Sequence, residues 1–332
     1  MNLGVNQKIS GKPVKNLRVS RVESPLIKDL KENYQLYIMV LPLVVWIALY
    51  AYKPLWGILI AFQNYSPFKG ISGSDYSGLE NFRVLMFGTA SQYFWRAFRN
   101  TVIISLQGIV FGFPVPIILA LLFNEIKVGI FRKGVQTATY IPHFISEVVV
   151  ASMVLSFLSL NTGIINILIE KALALFGIHY DHIQFMSKPG FFRSIYILSG
   201  LWKNAGFESI VFFAALVGIS PTLYEAARID GASKLQQVFH VSLPGIMPTI
   251  VIMLIIRLGN ILNIGYEKVL LLYNPLVYET ADILSTYTYR LGVDNVNYGL
   301  STAASLVNSV VGFILVIFAN KVSKKLSEAS LW

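Results

Sequence analysis

Long apolar runs alternate with short polar stretches along the chain, and their spacing predicts six membrane-spanning helices. Residues 33–52, 100–124 and 295–320 carry no charged side chain. Each run supplies the roughly 20 residues that a helix needs to cross a hydrocarbon layer about 30 Å thick. Helices of this kind satisfy their own backbone hydrogen bonds in lipid. We therefore expect spans at about 34–62, 98–124, 138–160, 194–217, 246–272 and 301–320.

The stretch between residues 134 and 179 is too long for one helix, and its polar triplet Asn161-Thr162-Gly163 predicts a break. Residues 164–178 contain Glu170 and Lys171 and are short for a crossing. An outer interfacial helix is the preferred interpretation of this segment. If it crossed the membrane instead, every later loop would change sides.

Composition agrees with a membrane protein. Of the 332 residues, 55% are hydrophobic and 13% are charged, and the mean hydropathy is +0.62. Soluble domains carry about 25% charged residues. The chain has no cysteine, which excludes disulfides, cysteine-ligated metal and a thiol nucleophile. Its first apolar run is too long for a signal peptide, so we expect that run to be retained.

The net charge of +10 indicates membrane orientation rather than nucleic-acid binding, because the basic residues are unevenly placed. Fifteen Lys and Arg residues lie in the segments that six spans put on one side, against six in the opposite loops. Cytoplasmic loops carry the excess of basic residues, so both termini are predicted to be cytoplasmic. The expected organisation is a basic tail over 1–33, a first span and outer loop over 34–97, a core domain over 98–320 that contains a polar loop at 218–245, and a second tail over 321–332.

The polar loop at 218–245 predicts two short helices. Ser220 and Pro221 can begin the first, and Gly231 can end it in a left-handed conformation. Ser233, followed three residues later by Gln236, is a capping-box pattern that opens a second helix, which can run to Pro244. Much of the first helix carries small side chains, which would let another protein surface come close.

Three short motifs in this loop carry a family resemblance. They are Glu-Ala-Ala at 225–227, Asp-Gly-Ala at 230–232 and Val-Ser-Leu-Pro at 241–244. Together they resemble the EAA coupling loop of importer permeases of the ATP-binding-cassette superfamily. Gly-Leu-Glu-Asn-Phe at 78–82 and Phe-Arg-Asn-Thr at 98–101 add to the resemblance, which covers about 76–332. Within the superfamily the spacing resembles the maltose-type branch, and most of all the permeases for polysaccharide fragments such as those of alginate or pectin.

The resemblance implies an all-α membrane protein: a type I importer permease of six transmembrane helices with a cytoplasmic coupling helix. It also implies a heterodimer with a second permease, two cytoplasmic ATPase subunits and an extracytoplasmic solute-binding protein, in a bacterial cytoplasmic membrane. The residues expected to couple to the ATPase are Glu225, Ala226, Ala227, Asp230 and Gly231.

Glu225 has a second interpretation, since it also completes a Thr222–Glu225 capping box and could serve only its own helix. Arg228 and Lys234 are interpreted as ordinary cytoplasmic charges.

Polar residues within the fourth and fifth spans predict a substrate path, because such side chains are costly in lipid and usually face a cavity or a partner. Sugars suit aromatic faces with amide and carboxylate groups around them. Hydrogen bonding between helices is the alternative for each residue taken singly. The candidates are Trp202, Asn204, Glu208, Asn260, Asn263 and Tyr266.

Catalytic motifs are missing from the sequence. Gly129 and Gly134 have the spacing of a phosphate-binding loop, but Val135 and Gln136 follow where Lys and Ser/Thr are required. The histidines and aspartate at 179–182 form a weak metal pattern that is more typical of a solvated loop. We expect no catalytic residue, no metal site and no cofactor on this chain, with ATP and Mg bound by the partner ATPase subunits.

The sequence thus predicts a non-catalytic permease subunit of an ATP-driven importer for oligosaccharides, with acidic polysaccharide fragments among the candidate substrates. An ion-coupled secondary transporter is the first alternative, although it would need inverted repeats that the sequence does not display. A membrane scaffold without transport activity and an importer for peptides, amino acids or phosphate are the others.

Overall fold

A computed structural model describes residues 29, 31–259 and 264–326 of the chain, so most of both terminal tails, together with Asn260 and Asn263, lies outside the described residues. The chain divides into two compact units, residues 1–56 and 57–332. The described residues are overwhelmingly helical, and the predicted all-α membrane fold is confirmed.

The first unit is built on helix α1 (Tyr34–Ile47), which contains Pro42 and continues through a π turn at Ala48–Tyr52. A 3-10 segment begins at Lys53 and runs to Phe62 as the chain enters the second unit. Helix α1 is apolar apart from Gln35 and its two tyrosine hydroxyls, and none of its residues is buried. Such a helix cannot be stabilised by its own unit and is suited to lipid.

The second unit contains a short antiparallel ladder, β1 (Gln63–Asn64) with β2 (Asp75–Tyr76), and a series of helices. The helices are α2 (Gly70–Gly73), α3 (Glu80–Phe87), α4 (Ser91–Gln107), α5 (Pro114–Glu125), α6 (Gly129–Tyr140), α7 (Glu147–Phe157), α8 (Ile164–Ala174), α9 (Pro189–Val217), α10 (Pro221–Ile229), α11 (Lys234–Gln237), α12 (Leu243–Gly259), α13 (Tyr266–Leu272), α14 (Tyr278–Ala281), α15 (Leu284–Tyr289) and α16 (Tyr298–Leu326). Shorter π and 3-10 turns connect them at Gly108–Gly112, Ile141–Phe144, Phe185–Ser187, Val238–Ser242, Pro275–Val277 and Arg290–Asp294.

Four helical segments of the described chain are long and apolar enough to cross a membrane, and two bent pairs bring the number to six if each pair is one span. The four are Tyr34–Phe62, Ser91–Glu125, Lys234–Gly259 and Tyr298–Ile317. One bent pair joins Gly129–Phe144 to Glu147–Phe157 at 99°, and the other joins Pro189–Val217 to Pro221–Ile229 at 71°. Four to six crossings are compatible with the predicted six.

Two predicted spans differ from single helices. At 138–160 the chain forms α6 and α7, because Pro142 tightens the backbone into a 3-10 turn and Ser146 caps a new helix by accepting a bond from Val149. At 246–272 the described residues form α12 and α13 as separate helices. The predicted break before residue 164 is confirmed, since α7 ends at Phe157 and α8 begins at Ile164.

Helix α9 is the centre of the packing in the second unit, where it contacts α5, α6, α12 and α14. Its approach to α6 is very close, because a Cβ atom added at Gly206 would lie 2.1 Å from the carbonyl oxygen of Thr139. Only glycine fits at this crossing. The close contact brings the polar residues of α9 into the interior of the unit, where they form the site described next.

Candidate functional site

Helix α10 begins where the sequence predicts, with Ser220 as its N-cap and Pro221 as its first residue. The Ser220 hydroxyl does not cap the backbone; it pairs instead with the Thr222 hydroxyl at 2.7 Å. Thr222 lies at the second helical position, so it cannot be the N-cap of a box with Glu225. The capping-box interpretation of Glu225 is therefore wrong, and its exposed carboxylate is left for another role.

Gly231 ends α10 in the predicted left-handed conformation, with φ at +79°. The Ala232 N–H donates to the Ala227 carbonyl at 2.8 Å, and the Gly231 N–H donates to the Arg228 carbonyl at 3.1 Å. These two bonds form a Schellman motif, which satisfies the last carbonyls of a helix and usually requires glycine. A Cβ atom at Gly231 would meet nothing within 4 Å, so conformation alone selects glycine within this chain.

The second helix opens with the predicted capping box. The Ser233 N–H donates to Gln236 Oε1 at 2.7 Å, and the Gln236 N–H donates to Ser233 Oγ at 3.4 Å. The helix does not stop at Pro244, however, because α11 passes through the π turn Val238–Ser242 directly into α12. A π turn can accommodate the missing N–H of a proline. The loop therefore continues into α12 without a non-helical residue between them.

Two contacts within residues 218–245, which we call the coupling loop after the resemblance, and one contact with α5 fix the position of this segment. The Tyr224 and Ser242 hydroxyls lie 3.0 Å apart, which joins α10 to the π turn before α12. Lys234, interpreted from the sequence as an ordinary charge, forms a salt bridge of 2.7 Å with Glu125 at the end of α5. A Cβ atom at Gly245 would lie 2.6 Å from Ile219 Cδ1, which shows how closely the loop ends pack.

The outward surface of α10 combines small, acidic and apolar side chains. None of its nine residues is buried, and Glu225, Ala226 and Asp230 are exposed while Ala227 is half-buried. Ile229 is 87% exposed. Of these residues, the surface thus presents one apolar, one small and two acidic side chains.

A cavity of about 560 Å³ lies along α9, and we call it the α9 cavity. Its volume is in the range of pockets that hold small organic ligands. The wall residues of α9 recur every three or four positions, which is the period of one helix face. They are Tyr196, Ile197, Gly200, Leu201, Asn204, Ala205 and Glu208; residues of α4, the π turn Gly108–Gly112, α7, α12 and the segment 264–268 complete the wall.

Three of the predicted substrate-path residues, Asn204, Glu208 and Tyr266, line this cavity. Trp202 does not line it, because its position on α9 lies off the face that contains Asn204 and Glu208, and its side chain is 49% exposed. Asn260 and Asn263 lie outside the described residues.

Arg257 joins three elements at the cavity wall. Its Nη1 donates to Glu208 Oε2 at 3.1 Å and its Nη2 donates to the Gly108 carbonyl at 3.3 Å. A Cβ atom at Gly112 would lie 3.0 Å from Arg257 Nη2. In the π turn between α4 and α5, the Gly108 carbonyl accepts a bond from the Arg257 guanidinium, and the missing side chain of Gly112 leaves room for that group. The two glycines, four residues apart, are the sequence signal for this contact.

The wall also contains Glu147 and Lys268, two charged residues that the predicted substrate path does not include. Lys203 donates to Glu147 Oε1 at 2.5 Å, which links α9 to the first turn of α7. Lys268 Nζ donates to the Tyr196 carbonyl at 2.9 Å and lies 4.7 Å from the centre of the Tyr196 ring. Glu147 begins a helix that the sequence predicts as the middle of a span, so no local signal directs it toward α9. The cavity wall thus contains both acidic and basic groups.

The glycine pair at 129 and 134 and the histidines at 179 and 182 are the candidates for nucleotide and metal binding, and the structure shows what surrounds each of them. Gly129 and Gly134 both lie in helix α6, where their backbone N–H groups cannot form a phosphate-binding loop. The ring of His182 contacts the Leu160 carbonyl at 2.9 Å and Glu170 Oε2 at 3.1 Å. His179 lies 3.3 Å from Asp181, and both side chains are almost fully exposed.

Comparison with known proteins gives a consistent result. Residues 112–328 match the family described as the binding-protein-dependent transport system inner membrane component. The chain is 41% identical over 307 residues to the polygalacturonan/rhamnogalacturonan transport system permease protein YteP of Bacillus subtilis (strain 168), covering 92% of each chain.

Two solved structures resemble the chain closely. The first is a bacterial ABC transporter involved in the import of the acidic polysaccharide alginate, with 43% identity, a TM-score of 0.82 and coverage of 92% of this chain and all of that one. The second is a bacterial alginate ABC transporter in complex with an alginate pentasaccharide-bound periplasmic protein, with 43% identity, a TM-score of 0.83 and coverage of 93% and 100%. The similarity extends over more than nine-tenths of the chain.

Proposed function

The chain belongs to the family of binding-protein-dependent transport system inner membrane components, and from that premise we propose that it is the permease subunit of an ATP-driven oligosaccharide importer. The observation that carries the proposal is the geometry of α10. It is a short helix with a Schellman end, an exposed small-residue surface and a rigid connection into α12. A short, well-terminated helix that connects to α12 in this way can transmit a movement of the partner to the membrane helices.

The proposed partners supply the energy and the substrate. Two ATPase subunits would bind ATP and Mg and receive α10 in a cleft, so this chain needs no cofactor and catalyses no reaction itself. A second, homologous permease would complete the translocation path, and an extracytoplasmic solute-binding protein would deliver the substrate. The periplasmic protein present with the alginate transporter supports the last of these partners.

The proposed substrates are oligosaccharides from acidic polysaccharides. Similarity to a polygalacturonan/rhamnogalacturonan permease and to alginate transporters supports this class. The α9 cavity supports it as well, since Asn204, Glu208 and Tyr266 offer an amide, a carboxylate and an aromatic ring to a polyhydroxylated ligand.

Purification and reconstitution test the proposed function. We expect the tagged chain to co-purify with one homologous permease and two ATPase copies, and the complex to take up labelled oligogalacturonides in liposomes with ATP and its binding protein. A non-hydrolysable ATP analogue is the matched control and should abolish uptake. Uptake that an ion gradient drives without ATP would contradict the proposal in favour of a secondary transporter. ATP-driven uptake of a peptide or phosphate alone would contradict the substrate class.

Cysteine labelling tests the proposed orientation, in which both termini and residues 218–245 are cytoplasmic. Because the chain has no cysteine, each introduced thiol is the single reactive one in the protein. Lys127→Cys should react with an impermeant maleimide only after permeabilisation, whereas His179→Cys should react in intact spheroplasts. Both residues are exposed, so accessibility of the side chain is matched. The reverse pattern would overturn the topology.

A further inference from the structure

A second cavity of about 390 Å³ lies at the other end of the helical segment that reaches the coupling loop, and we call it the Arg96 cavity. Segment Ser91–Glu125 ends beside Lys234 of the coupling loop and begins beside this cavity. Its 35 residues correspond to about 50 Å of helix. In the proposed topology the Arg96 cavity therefore faces the outside. Its lining residues are Thr89, Ala90, Tyr93, Arg96, Tyr278, Tyr287, Arg290, Leu291 and Asn295.

The buried carboxylate of Asp282 forms ion pairs with two guanidinium groups, those of Arg290 and Arg96. Asp282 is completely buried, and its two oxygens accept bonds from Arg290 at 3.2 and 2.6 Å. The Thr286 hydroxyl donates to the same carboxylate at 2.9 Å. Arg96 Nη2 lies farther away, at 3.7 Å from Asp282 Oδ2. These three ionised groups sum to a net charge of +1, so the cavity favours an anion.

The guanidinium of Arg290 is held in place by Asp282 and by two tyrosine rings. Besides its two bonds to Asp282, its guanidinium lies over the Tyr278 ring at 4.7 Å and near the Tyr287 ring at 5.9 Å. Burial acts against its charged form, but the hydrogen bonds and charge of Asp282 outweigh that cost and raise the pKa of Arg290. Two-fold bonding of this kind fixes a guanidinium in one orientation. Arg290 is a structural cation in this cavity.

Arg96 has at least one N–H donor from which no residue of the described chain accepts a bond. Its Nε atom is buried, and among the described residues it has no hydrogen-bond partner. Its guanidinium lies over the Tyr93 ring at 5.4 Å, which positions it without using its N–H groups. A buried donor without a partner is costly unless a ligand or water accepts from it. The side chain as a whole is 26% exposed, so a ligand in the cavity can reach its exposed part, although Nε itself is buried.

We propose that the Arg96 cavity binds a uronic acid residue of the incoming oligosaccharide, with its carboxylate on Arg96 and its ring against the tyrosines. This proposal rests on the proposed function and names a chemical requirement for the substrate. A carboxylate matches the fork of N–H groups on a guanidinium, and a sugar ring offers C–H groups to an aromatic face. Three of the nine lining residues are tyrosines, which suits a saccharide better than a free inorganic anion.

A carboxylate could also come from an acidic side chain of the solute-binding protein when it docks on this side. The chemistry at Arg96 would be the same, but that contact would be independent of the sugar. An experiment that omits the solute-binding protein separates the two sources.

The test measures binding of a trigalacturonate and of its methyl ester to the purified complex without solute-binding protein, by titration calorimetry. The two probes share ring, length and linkage and differ in charge. We expect the wild type to bind the acid about tenfold more tightly than the ester, as one charge-assisted hydrogen-bonded pair contributes. Arg96→Gln should bring the ratio close to one and leave ester binding unchanged. Arg96→Lys should give an intermediate ratio.

Arg83→Gln is the matched control, because Arg83 is an exposed cation of the same outer segment whose ion pair within the described chain is with its helical neighbour Glu80 at 3.8 Å. It should preserve the wild-type ratio. An equal affinity of the wild type for acid and ester, or an unchanged ratio in Arg96→Gln, would overturn the proposal. Weaker docking of the solute-binding protein with an unchanged ratio would assign the carboxylate to that protein. If the acid and the ester bind equally well but ATP-driven uptake of neutral oligosaccharides persists, the Arg96 proposal is overturned and the proposed function stands.

Discussion

Gly231→Leu is expected to abolish ATP-driven import while the chain remains folded in the membrane. A leucine at φ +79° strains the Schellman end of α10, at a cost of about 1 kcal/mol. That cost is small beside the 5–15 kcal/mol that typically stabilises a domain. The same side chain would add bulk to the surface proposed to enter the ATPase cleft, where overpacking costs about 1–3 kcal/mol more. We expect a loss of import of at least tenfold, measured as uptake and ATPase co-purification.

Gly177→Leu controls for backbone strain. Gly177 has φ at +70°, and a Cβ atom there would also meet nothing within 4 Å, but it follows α8 in the segment predicted to be external. It should carry the same local strain and leave ATPase binding and import near the wild-type level. Equal losses in both variants, or normal import in Gly231→Leu, would remove the coupling role of α10.

Glu225→Gln extends this test to the exposed acidic residue of α10. Because Thr222 does not cap with Glu225, the carboxylate is free to contact a partner, and we expect the amide to weaken ATPase association. Normal coupling in this variant would exclude a role for the charge of Glu225 in binding the ATPase.

Arg257→Gln and Glu208→Gln are expected to reduce import by about tenfold or more without preventing assembly. Each leaves one charge of the α9 cavity without its partner. Breaking a fully buried ion pair costs about 3–5 kcal/mol. The two side chains are 34% and 37% exposed, so solvent in the cavity lowers that cost and the bundle should survive. The unpaired charge would remain beside the proposed substrate path, and the bridge between α9, α12 and the Gly108 carbonyl would be lost.

The double variant Glu208→Arg with Arg257→Glu distinguishes a charge requirement from a geometric one. It restores the pair but not the donation to the Gly108 carbonyl, so we expect partial recovery of uptake. Asp75→Asn is a matched control, since it breaks the exposed Lys69–Asp75 pair of 3.5 Å outside the cavity and should change nothing. Normal uptake by both single variants would exclude a role for the pair in transport.

Local signals in the sequence predict the coupling loop well, for a physical reason. Pro221 acts through its own fixed backbone angle, and Gly231 and Ser233–Gln236 act through bonds between residues at most five positions apart. These signals can therefore be recognised without tertiary information. The apolar spans are similarly determined by composition, because lipid requires long uncharged helices whatever their neighbours are. Where the prediction differed, at Pro244, the local signal was overridden by a π turn that keeps the helix continuous.

The cavities could not be predicted in the same way, because their walls join residues far apart in the chain. Arg257 meets Glu208 and Gly108 across 49 and 149 positions, and Lys203 meets Glu147 across 56. Trp202 was predicted to line the path from its type, but the rotation of α9 decides which residues face inward. The sequence by itself determined the long apolar helices predicted at 34–62, 98–124 and 301–320 and the local structure of the coupling loop. Only tertiary packing, beginning with the close contact at Gly206, decided which charges pair and which cavity each one faces.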